Sequence, residues 1–208
     1  MTLNVRNNSS AWTEAQDLLV RNNSAAWVQG CAHIWDGTQW VQFFGQNGTV
    51  DLGADATLST RAESFPDSSA GAELIAIFTT NAEFRIDQNR GGTLDPGSGS
   101  GSFFSETIER LSRIYSPTPC SPDPPLLSIR YVSTGGQAPN LGSLANNVWY
   151  DLTAERGVGL RTTVNANGGE ITRTSQFRIE IARTEDLSTI LDTCNLSFTA
   201  TAFSGVPE

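Results

Sequence analysis

Apolar and polar residues alternate strictly in several short segments of the chain, and this pattern restricts the fold more than any other feature. In QFRIEIAR, Phe177, Ile179 and Ile181 alternate with polar residues, so the pattern places Glu180 on a solvated face. The same alternation occurs in AEFRID, LLSIRYVS, GLRTTVNA and NLSFTATAF. Because successive side chains of a strand point to opposite faces, it predicts antiparallel sheets with one wet face, and hence a β-sandwich.

Two neighbouring segments predict a buried strand and a loop. ELIAIFTT (residues 73–80) is a nearly continuous apolar run. Such a run predicts a central strand that is buried on both faces. GGTLDPGSGSGS (residues 91–102) has the composition of a flexible loop and is too long for a tight turn.

The middle of the chain interrupts the strand pattern twice. In SETIERLSRIYS, Ile108, Leu111 and Ile114 recur at helical spacing, which predicts one short helix. SPTPCSPDPP (residues 116–125) cannot form regular structure, because proline fixes φ and lacks a backbone donor. We interpret this segment as a crossing between the two sheets, with a domain linker as the alternative.

The chain opens with a near-repeat: VRNNSSAW begins at Val5 and VRNNSAAW begins at Val20. A degenerate third copy, IWDGTQW, runs from Ile34 to Trp40. Asn-Asn and Asp-Gly favour tight turns, whereas Trp, Val and Ile favour strands. Each copy is therefore interpreted as a hairpin with its Trp on the return strand. A helix across AWTEAQDLLV is the alternative, but the recurring turn favours strands.

The repeat also suggests how the chain is organised. A lone hairpin is marginal in water, whereas successive copies can bury their Trp and Val side chains against one another. We therefore predict a Trp-containing β-repeat module for docking or assembly at residues 1–48. An antiparallel β-sandwich with Gly/Ser-rich and Pro-rich loops follows at residues 49–208. The predicted fold class is all-β, a small N-terminal β-hairpin repeat module followed by an antiparallel β-sandwich.

Four of the five tryptophans lie within the first 40 residues. We interpret them as the core of the small module, with a protein interface and a sugar-stacking platform as alternatives. The repeat arginines are available for a carboxylate partner. The candidate protein-interface residues are Trp12, Trp27, Trp35, Trp40, Arg6 and Arg21. The fifth tryptophan, Trp149, is predicted to anchor the sandwich between strands.

The sequence selects no catalytic arrangement. His33 is the only histidine, and alternation places it on one strand face with Cys31, which we interpret as packing rather than catalysis. The carboxylates are scattered, so no pair is selected for glycoside hydrolysis. No calcium-binding or phosphate-binding loop is present. We expect no enzyme activity, no catalytic or metal-binding residue and no cofactor.

Charge and hydropathy argue against two classes of partner. The formal net charge is −9 and the chain has no lysine, so it would repel a phosphate backbone and no nucleic-acid binding is expected. No window reaches the ~18 apolar residues of a membrane span, and MTLNVRNNSS has no apolar signal core. We expect neither membrane insertion nor export. The three cysteines are interpreted as reduced thiols, with a Cys120–Cys194 bridge as an open alternative.

Two parts of the sequence resemble one family. The repeated VRNNSAAW pattern resembles the strand, turn and Trp repeats of many tailed-bacteriophage tail proteins. In the second part, LLSIRYVSTGG, VWYDLTAERGVGL, QFRIEIARTEDLSTIL and NLSFTATA follow one another. This order is similar to the β-sandwich modules of phage tail and fibre-type proteins. The resemblance covers about two thirds of the chain and implies a virion structural protein of the tail, baseplate or fibre region, without catalytic residues.

The resemblance sets several functional expectations. The N-terminal module would dock on the virion or on a neighbouring copy, and the sandwich would form the body or contact the host. The chain would be made in the host cytoplasm and reside in the virion. Its partners would be other virion proteins and copies of itself, with a homotrimer as the expected state and a host-surface glycan as a further candidate. The alternatives are a carbohydrate-binding host-recognition module, a capsid decoration or cement protein, and a small glycan-degrading enzyme.

Overall fold

The structure is a computed structural model that describes part of the chain. Its described backbone comprises residues 4–6, 12–14, 19–21, 27–29, 32–35, 40–44, 48–64, 68–91, 103–118 and 124–205. Its described side chains lie within residues 48–64, 68–90, 113–118 and 124–205. Regular structure throughout these residues is β, without a helix, which confirms the all-β class.

The strands differ in length between the start and the remainder of the chain. The short early strands are β1 (Asn4–Arg6), β2 (Trp12–Glu14), β3 (Leu19–Arg21), β4 (Trp27–Gln29), β5 (Ala32–Trp35), β6 (Trp40–Phe44) and β7 (Thr49–Val50). The later strands are β8 (Ala56–Ser64), β9 (Ala70–Phe78), β10 (Glu83–Gly91), β11 (Phe103–Arg113), β12 (Tyr115–Ser116), β13 (Leu127–Gly136), β14 (Leu141–Gly142), β15 (Tyr150–Asp151), β16 (Arg156–Val164), β17 (Gly169–Arg183) and β18 (Asp186–Ser204).

The chain forms two compact units. The first comprises residues 1–49 with 115–124, and the second comprises residues 50–114 with 125–208. The first unit therefore includes a segment from the middle of the chain that the sequence had not associated with the repeats.

Three hairpins lie in the described part of the first unit. β1 pairs with β2, β3 with β4 and β5 with β6, and each pair is antiparallel. β7 pairs with β12. The three hairpins coincide with the three sequence copies, so the hairpin interpretation is confirmed. The helical alternative for AWTEAQDLLV is wrong, because this segment contributes residues to both β2 and β3.

Two five-stranded sheets form the second unit. The first sheet has the order β11-β10-β9-β16-β14, and the second has the order β15-β13-β17-β18-β8. Across the interior, β9 and β16 pack on β18, and β16 also packs on β17. The predicted antiparallel sandwich is confirmed with one refinement. The edge strand β8 runs parallel to β18, whereas the other described neighbours are antiparallel.

The alternating segments supply the core of the sandwich. Phe177 contacts Phe198 edge to face with ring centroids 5.2 Å apart, and Tyr131 contacts Phe177 at 6.0 Å. Such pairs add to the free energy of burial through their complementary edges and faces. The residues that alternation placed inside are buried, namely Phe84, Ile86, Leu127, Ile129, Tyr131, Leu160, Thr162, Val164, Phe177, Ile179, Ile181, Leu196, Phe198, Ala200 and Ala202.

The apolar run in residues 73–80 contributes most of β9, which is central in the first sheet between β10 and β16. Leu74, Ala76 and Phe78 have no exposed surface, and Phe78 stacks on Phe84 with ring centroids 4.8 Å apart. Ile77 on the opposite face is also buried. The prediction of a strand buried on both faces is therefore confirmed.

The predicted helix in SETIERLSRIYS is wrong, because most of this segment lies in β11. The pairing of β11 with β10 shifts register twice, between Phe84 and Ile86 and between Ile86 and Asp87. At each shift β11 contains one residue more than β10, as in a β-bulge. A bulge allows residues an odd number of positions apart to share a face, so helical spacing of apolar residues does not exclude a strand.

The remaining irregular segments fall partly outside the described residues. Residues 92–102 and 119–123 are not described, although β10 and β11, which flank the Gly/Ser-rich segment, pair with each other. The Pro-rich segment follows β11 of the first sheet and precedes β13 of the second, but its first residue, Ser116, lies in β12, and residues 115–124 group with the first unit rather than with the sandwich. The prediction that the whole segment lacks regular structure is therefore wrong at Ser116. Cys194 is buried, with its Sγ 3.4 Å from the carbonyl oxygen of Ala54. Cys31 and Cys120 lie outside the described residues, so the Cys120–Cys194 alternative stays open.

Candidate interaction sites

The predicted interface residues occupy equivalent register positions in the hairpins. The cross-strand pairs next to the turns are Arg6–Trp12, Arg21–Trp27 and Trp35–Trp40. Residues directly opposite each other in an antiparallel ladder share a face, so a pair that contains a Trp closes each turn. Their side chains lie outside the described ones, and their role in an interface stays a prediction.

His33 lies on β5 at the register position opposite Gln42. A register shift separates Ala32 from His33. Cys31 lies outside the described residues, and so does the His33 side chain, so the structure does not place the two together. Our interpretation of this pair as packing stays a prediction.

A carboxylate and two arginines form a cluster on the outer face of the second sheet. Arg130 on β13 is opposite Glu180 on β17, and Arg178 lies two residues before Glu180 on the same strand. Arg130 Nε donates to Glu180 Oε2 at 2.5 Å, whereas Arg178 Nε donates to Oε1 at 2.7 Å and its Nη2 lies 2.5 Å from the same oxygen. The Glu180 side chain is 5% exposed. The prediction of a solvated Glu180 is wrong, because two guanidinium groups and their stems cover it.

The environment of Glu180 favours the ionised carboxylate. Burial raises its pKa, but the hydrogen bonds and charges of Arg130 and Arg178 lower it, and the net effect holds the pKa below its ordinary value of 4.5. Both carboxylate oxygens already accept hydrogen bonds. Glu180 therefore joins β13 to β17 as a structural anion and is not positioned as a general acid or base.

Trp149 covers this cluster instead of anchoring the sandwich. Its ring lies 4.5 Å from the Arg130 guanidinium carbon, and its side chain is only half-buried. The surrounding loop is held against β13, because Asn147 N donates to Tyr131 O and Ser133 N donates to the Asn146 side chain. The predicted core position is wrong, since a cation–π contact with Arg130 holds the ring on the outer face.

A second buried carboxylate lies on the outer face of the first sheet. Asn89, Glu73 and Arg161 occupy one register row across β10, β9 and β16. Asn89 Nδ2 donates to Glu73 Oε1 at 2.7 Å, while Arg161 donates to Oε2 through Nε at 2.7 Å and also through Nη2. The Asn140 side chain bonds to both backbone groups of Arg161, which fixes this position of β16.

An open cavity of about 390 Å³ adjoins this row. Its described lining residues are Gly71, Ala72, Glu73, Asn89, Arg161 and Thr163. The site could not be predicted from the sequence, because its members come from three separate segments that only the sheet order brings together. The one local signal was Glu73, a charged residue at the start of an otherwise apolar run.

A smaller and more open hollow of about 290 Å³ lies on the second sheet. At this hollow, Asp55 accepts hydrogen bonds from Asn195 N at 2.7 Å and from Asn195 Nδ2 at 3.0 Å. These bonds lower the pKa of the exposed Asp55 carboxyl. The arrangement ties the chain before β8 to β18.

The described residues contain neither a cluster of potential metal ligands nor a helix that could span a membrane. Within these residues, no three His, Cys, Asp or Glu side chains are grouped so that they could hold a metal ion. No helix in the same residues is long and apolar enough to cross a membrane.

No protein family, no curated protein and no solved structure matches this chain.

Proposed function

We propose that this chain is a non-enzymatic structural protein of a bacteriophage virion, in the tail, baseplate or fibre region. The observation that carries the proposal is the series of three hairpins, each closed next to its turn by a pair that contains a Trp. A single two-stranded hairpin is marginally stable in water. Repeated units of this kind gain stability by packing on one another or on a partner, as assembly modules do.

The sandwich has features that suit a part in an assembly. The two buried carboxylates on its outer faces, Glu73 and Glu180, are each paired with an arginine of a neighbouring strand, which joins the strands of each face. The edge strand β8 alternates exposed polar residues, including Arg61 and Glu63, with buried ones. Charges on an edge discourage uncontrolled strand addition, so growth of the assembly would depend on specific contacts.

The chain is proposed to bind other virion proteins and copies of itself, with a homotrimer as the expected state. Light scattering of the purified chain should then give about three times the monomer mass of 22.3 kDa. A monomer at all concentrations would contradict self-association of the isolated chain.

The direct test is detection of the full chain in purified phage particles by mass spectrometry, followed by immunogold labelling. Labelling on the tail, baseplate or fibres is expected. Labelling confined to the head would favour the decoration alternative, and absence from washed particles would refute the virion role. Cleavage of a host polysaccharide, abolished by one carboxylate substitution, would refute the non-enzymatic role.

The hairpin module is proposed to dock the chain. A tagged variant that begins at about Gly45 should retain a folded sandwich and fail to enter particles, whereas the tagged full chain should enter them. Recovery of both at equal levels would refute the docking role. Trp12→Ala and Trp27→Ala distinguish a core role of these tryptophans from a sugar-stacking platform. Loss of the hairpin fold indicates a core role, and a preserved fold with lost glycan binding indicates a sugar platform.

A further inference from the structure

The cavity beside Glu73 has a defined floor and rim. Gly71 has no side chain and Ala72 is fully buried in the core, so no large side chain fills this part of β9. Across the strands, Thr163 is the register partner of Gly71, and Arg161 is the partner of Glu73. The volume of about 390 Å³ lies within the range of small-molecule sites, which begins at ~300 Å³.

The charges at the cavity cancel. Glu73 is 8% exposed, and both of its carboxylate oxygens accept hydrogen bonds from Arg161 or Asn89. An anionic ligand would lie beside the Glu73 carboxylate, and a cationic ligand would lie beside the Arg161 guanidinium. Because neither charge is uncompensated, the site favours a ligand without net charge.

Polar atoms of both kinds stay available at the rim. Asn89 uses Nδ2 towards Glu73, which leaves Oδ1 as an acceptor. Arg161 uses Nε and Nη2 towards Glu73, and its side chain is 54% exposed, which leaves Nη1 as a donor. The exposed Thr163 hydroxyl can donate and accept. Hydroxyl groups also donate and accept, so this set is complementary to a neutral polyol.

We propose that this cavity is a binding subsite for a neutral sugar residue, with its hydroxyls on Asn89, Arg161 and Thr163 and its C–H face on the backbone at Gly71. The inference rests on the proposed virion function for its biological partner, a host-surface glycan. The described lining contains no aromatic ring for stacking, so we expect a dissociation constant of ~1–10 mM for a single sugar. Several copies in one particle would raise the effective affinity through multivalency.

The test is an amide NMR titration of the full chain with three methyl glycosides of matched ring geometry. Methyl glucoside is neutral, methyl glucuronide is anionic and methyl glucosaminide is cationic below its pKa. Methyl galactoside and methyl mannoside extend the neutral set. Neutral glycosides should shift the amide signals of Gly71, Ala72, Asn89 and Thr163. The charged pair should bind ~10-fold more weakly or not at all.

Variants connect the shifts to the site. Thr163→Val removes a rim hydroxyl with little change of shape, and Arg161→Ala removes the proposed donor, so each should weaken binding ~10-fold. Arg61→Ala is the matched control, because the ion-paired Arg61 side chain on the other sheet is 50% exposed, close to the 54% of Arg161. The control should bind as the unmodified chain does. If Arg161→Ala unfolds, Thr163→Val decides.

Several results would overturn the subsite. The first is that no neutral glycoside shifts the amide signals of the cavity residues at concentrations up to about 50 mM. The second is that methyl glucuronide binds as tightly as methyl glucoside. The third is that folded Thr163→Val binds neutral glycosides as tightly as the unmodified chain does. The experiments distinguish failure of the sugar subsite from failure of the proposed virion role. A chain that is present in particles but binds no neutral sugar loses only the subsite, whereas sugar binding by a chain absent from particles removes only the virion role.

Discussion

Replacing Glu180 with Gln should destabilise the sandwich at neutral pH. The substitution keeps the side-chain shape and removes the charge that Arg130 and Arg178 share. Loss of one partner from a fully buried ion pair costs about 3–5 kcal/mol. Here the two arginine side chains are 25% and 39% exposed, so water can compensate part of the loss, and we expect about 1.5–3 kcal/mol.

The penalty should depend on pH in a defined direction. The folded-state pKa of Glu180 is lowered, so its ionisation stabilises the fold above its ordinary pKa of 4.5, and this stability is lost as the pH falls through the folded value. The difference in unfolding free energy between the unmodified chain and Glu180→Gln should therefore be largest near pH 7. It should shrink progressively below about pH 4.5. A raised pKa would produce the opposite trend.

The assay is urea unfolding at a series of pH values, followed by amide NMR signals of β13 and β17. These signals report on unfolding of the sandwich alone. The two units of the chain need not unfold together, so a two-state analysis of the whole chain is avoided. Glu63→Gln is the matched control, because Glu63 and its partner Arg61 are about half exposed, and it should change stability by less than about 0.5 kcal/mol. If Glu180→Gln lowers the unfolding free energy by no more than Glu63→Gln does, or by an amount that does not depend on pH, the ion pairs of Glu180 do not stabilise the fold as predicted.

Three further substitutions probe packing in the second unit. Gly159→Ala should destabilise the first sheet by about 1–3 kcal/mol, because the new Cβ would overlap the carbonyl oxygen of Leu74, and chemical denaturation measures the loss. Phe198→Ala should cost about 3–5 kcal/mol in the same assay, because the ring is fully buried in the aromatic cluster. Trp149→Ala should cost about 0.5–2 kcal/mol by removing the ring over Arg130.

Each of these predictions has a control and a contradicting result. A Cβ added at Gly169 would have no atom within 4 Å, but the residue has φ +76°. Gly169→Ala should therefore destabilise the fold only through backbone strain, by about 1–2 kcal/mol. A cost for Gly159→Ala below that of Gly169→Ala would contradict the predicted overlap. Phe203→Ala, at a half-buried ring, should cost less than the core substitution. Trp149→Phe should retain part of the contact, and equal losses for Phe and Ala would argue against the cation–π contribution.

Local patterns predicted most of the strands and the core. Period-two alternation identifies a half-buried strand from its own residues, as for Phe177, Ile179 and Ile181, which are all fully buried. The turn chemistry of the repeats likewise predicted hairpins that the backbone confirms. Local patterns failed in β11, where two register shifts accompany apolar residues at helical spacing.

The outer faces could not be predicted in this way. Alternation places Glu180 outside but contains no information about which strand lies beside it, and that strand carries Arg130. The same limit applies to Trp149, whose partner is an arginine 19 positions earlier in the sequence. Burial of a charged side chain on a sheet surface depends on cross-strand neighbours, so it follows from register rather than from composition.

The sequence by itself determined the all-β class, the three hairpins and the residues inside the sandwich, because strand period and turn chemistry are local properties of the chain. Only the tertiary structure decided the strand order, the parallel β8–β18 edge and the grouping of residues 115–124 with the hairpins. It also placed Asn89, Glu73 and Arg161 in one row beside a cavity. These features depend on pairing between residues far apart in the sequence, for which the chain carries no local signal.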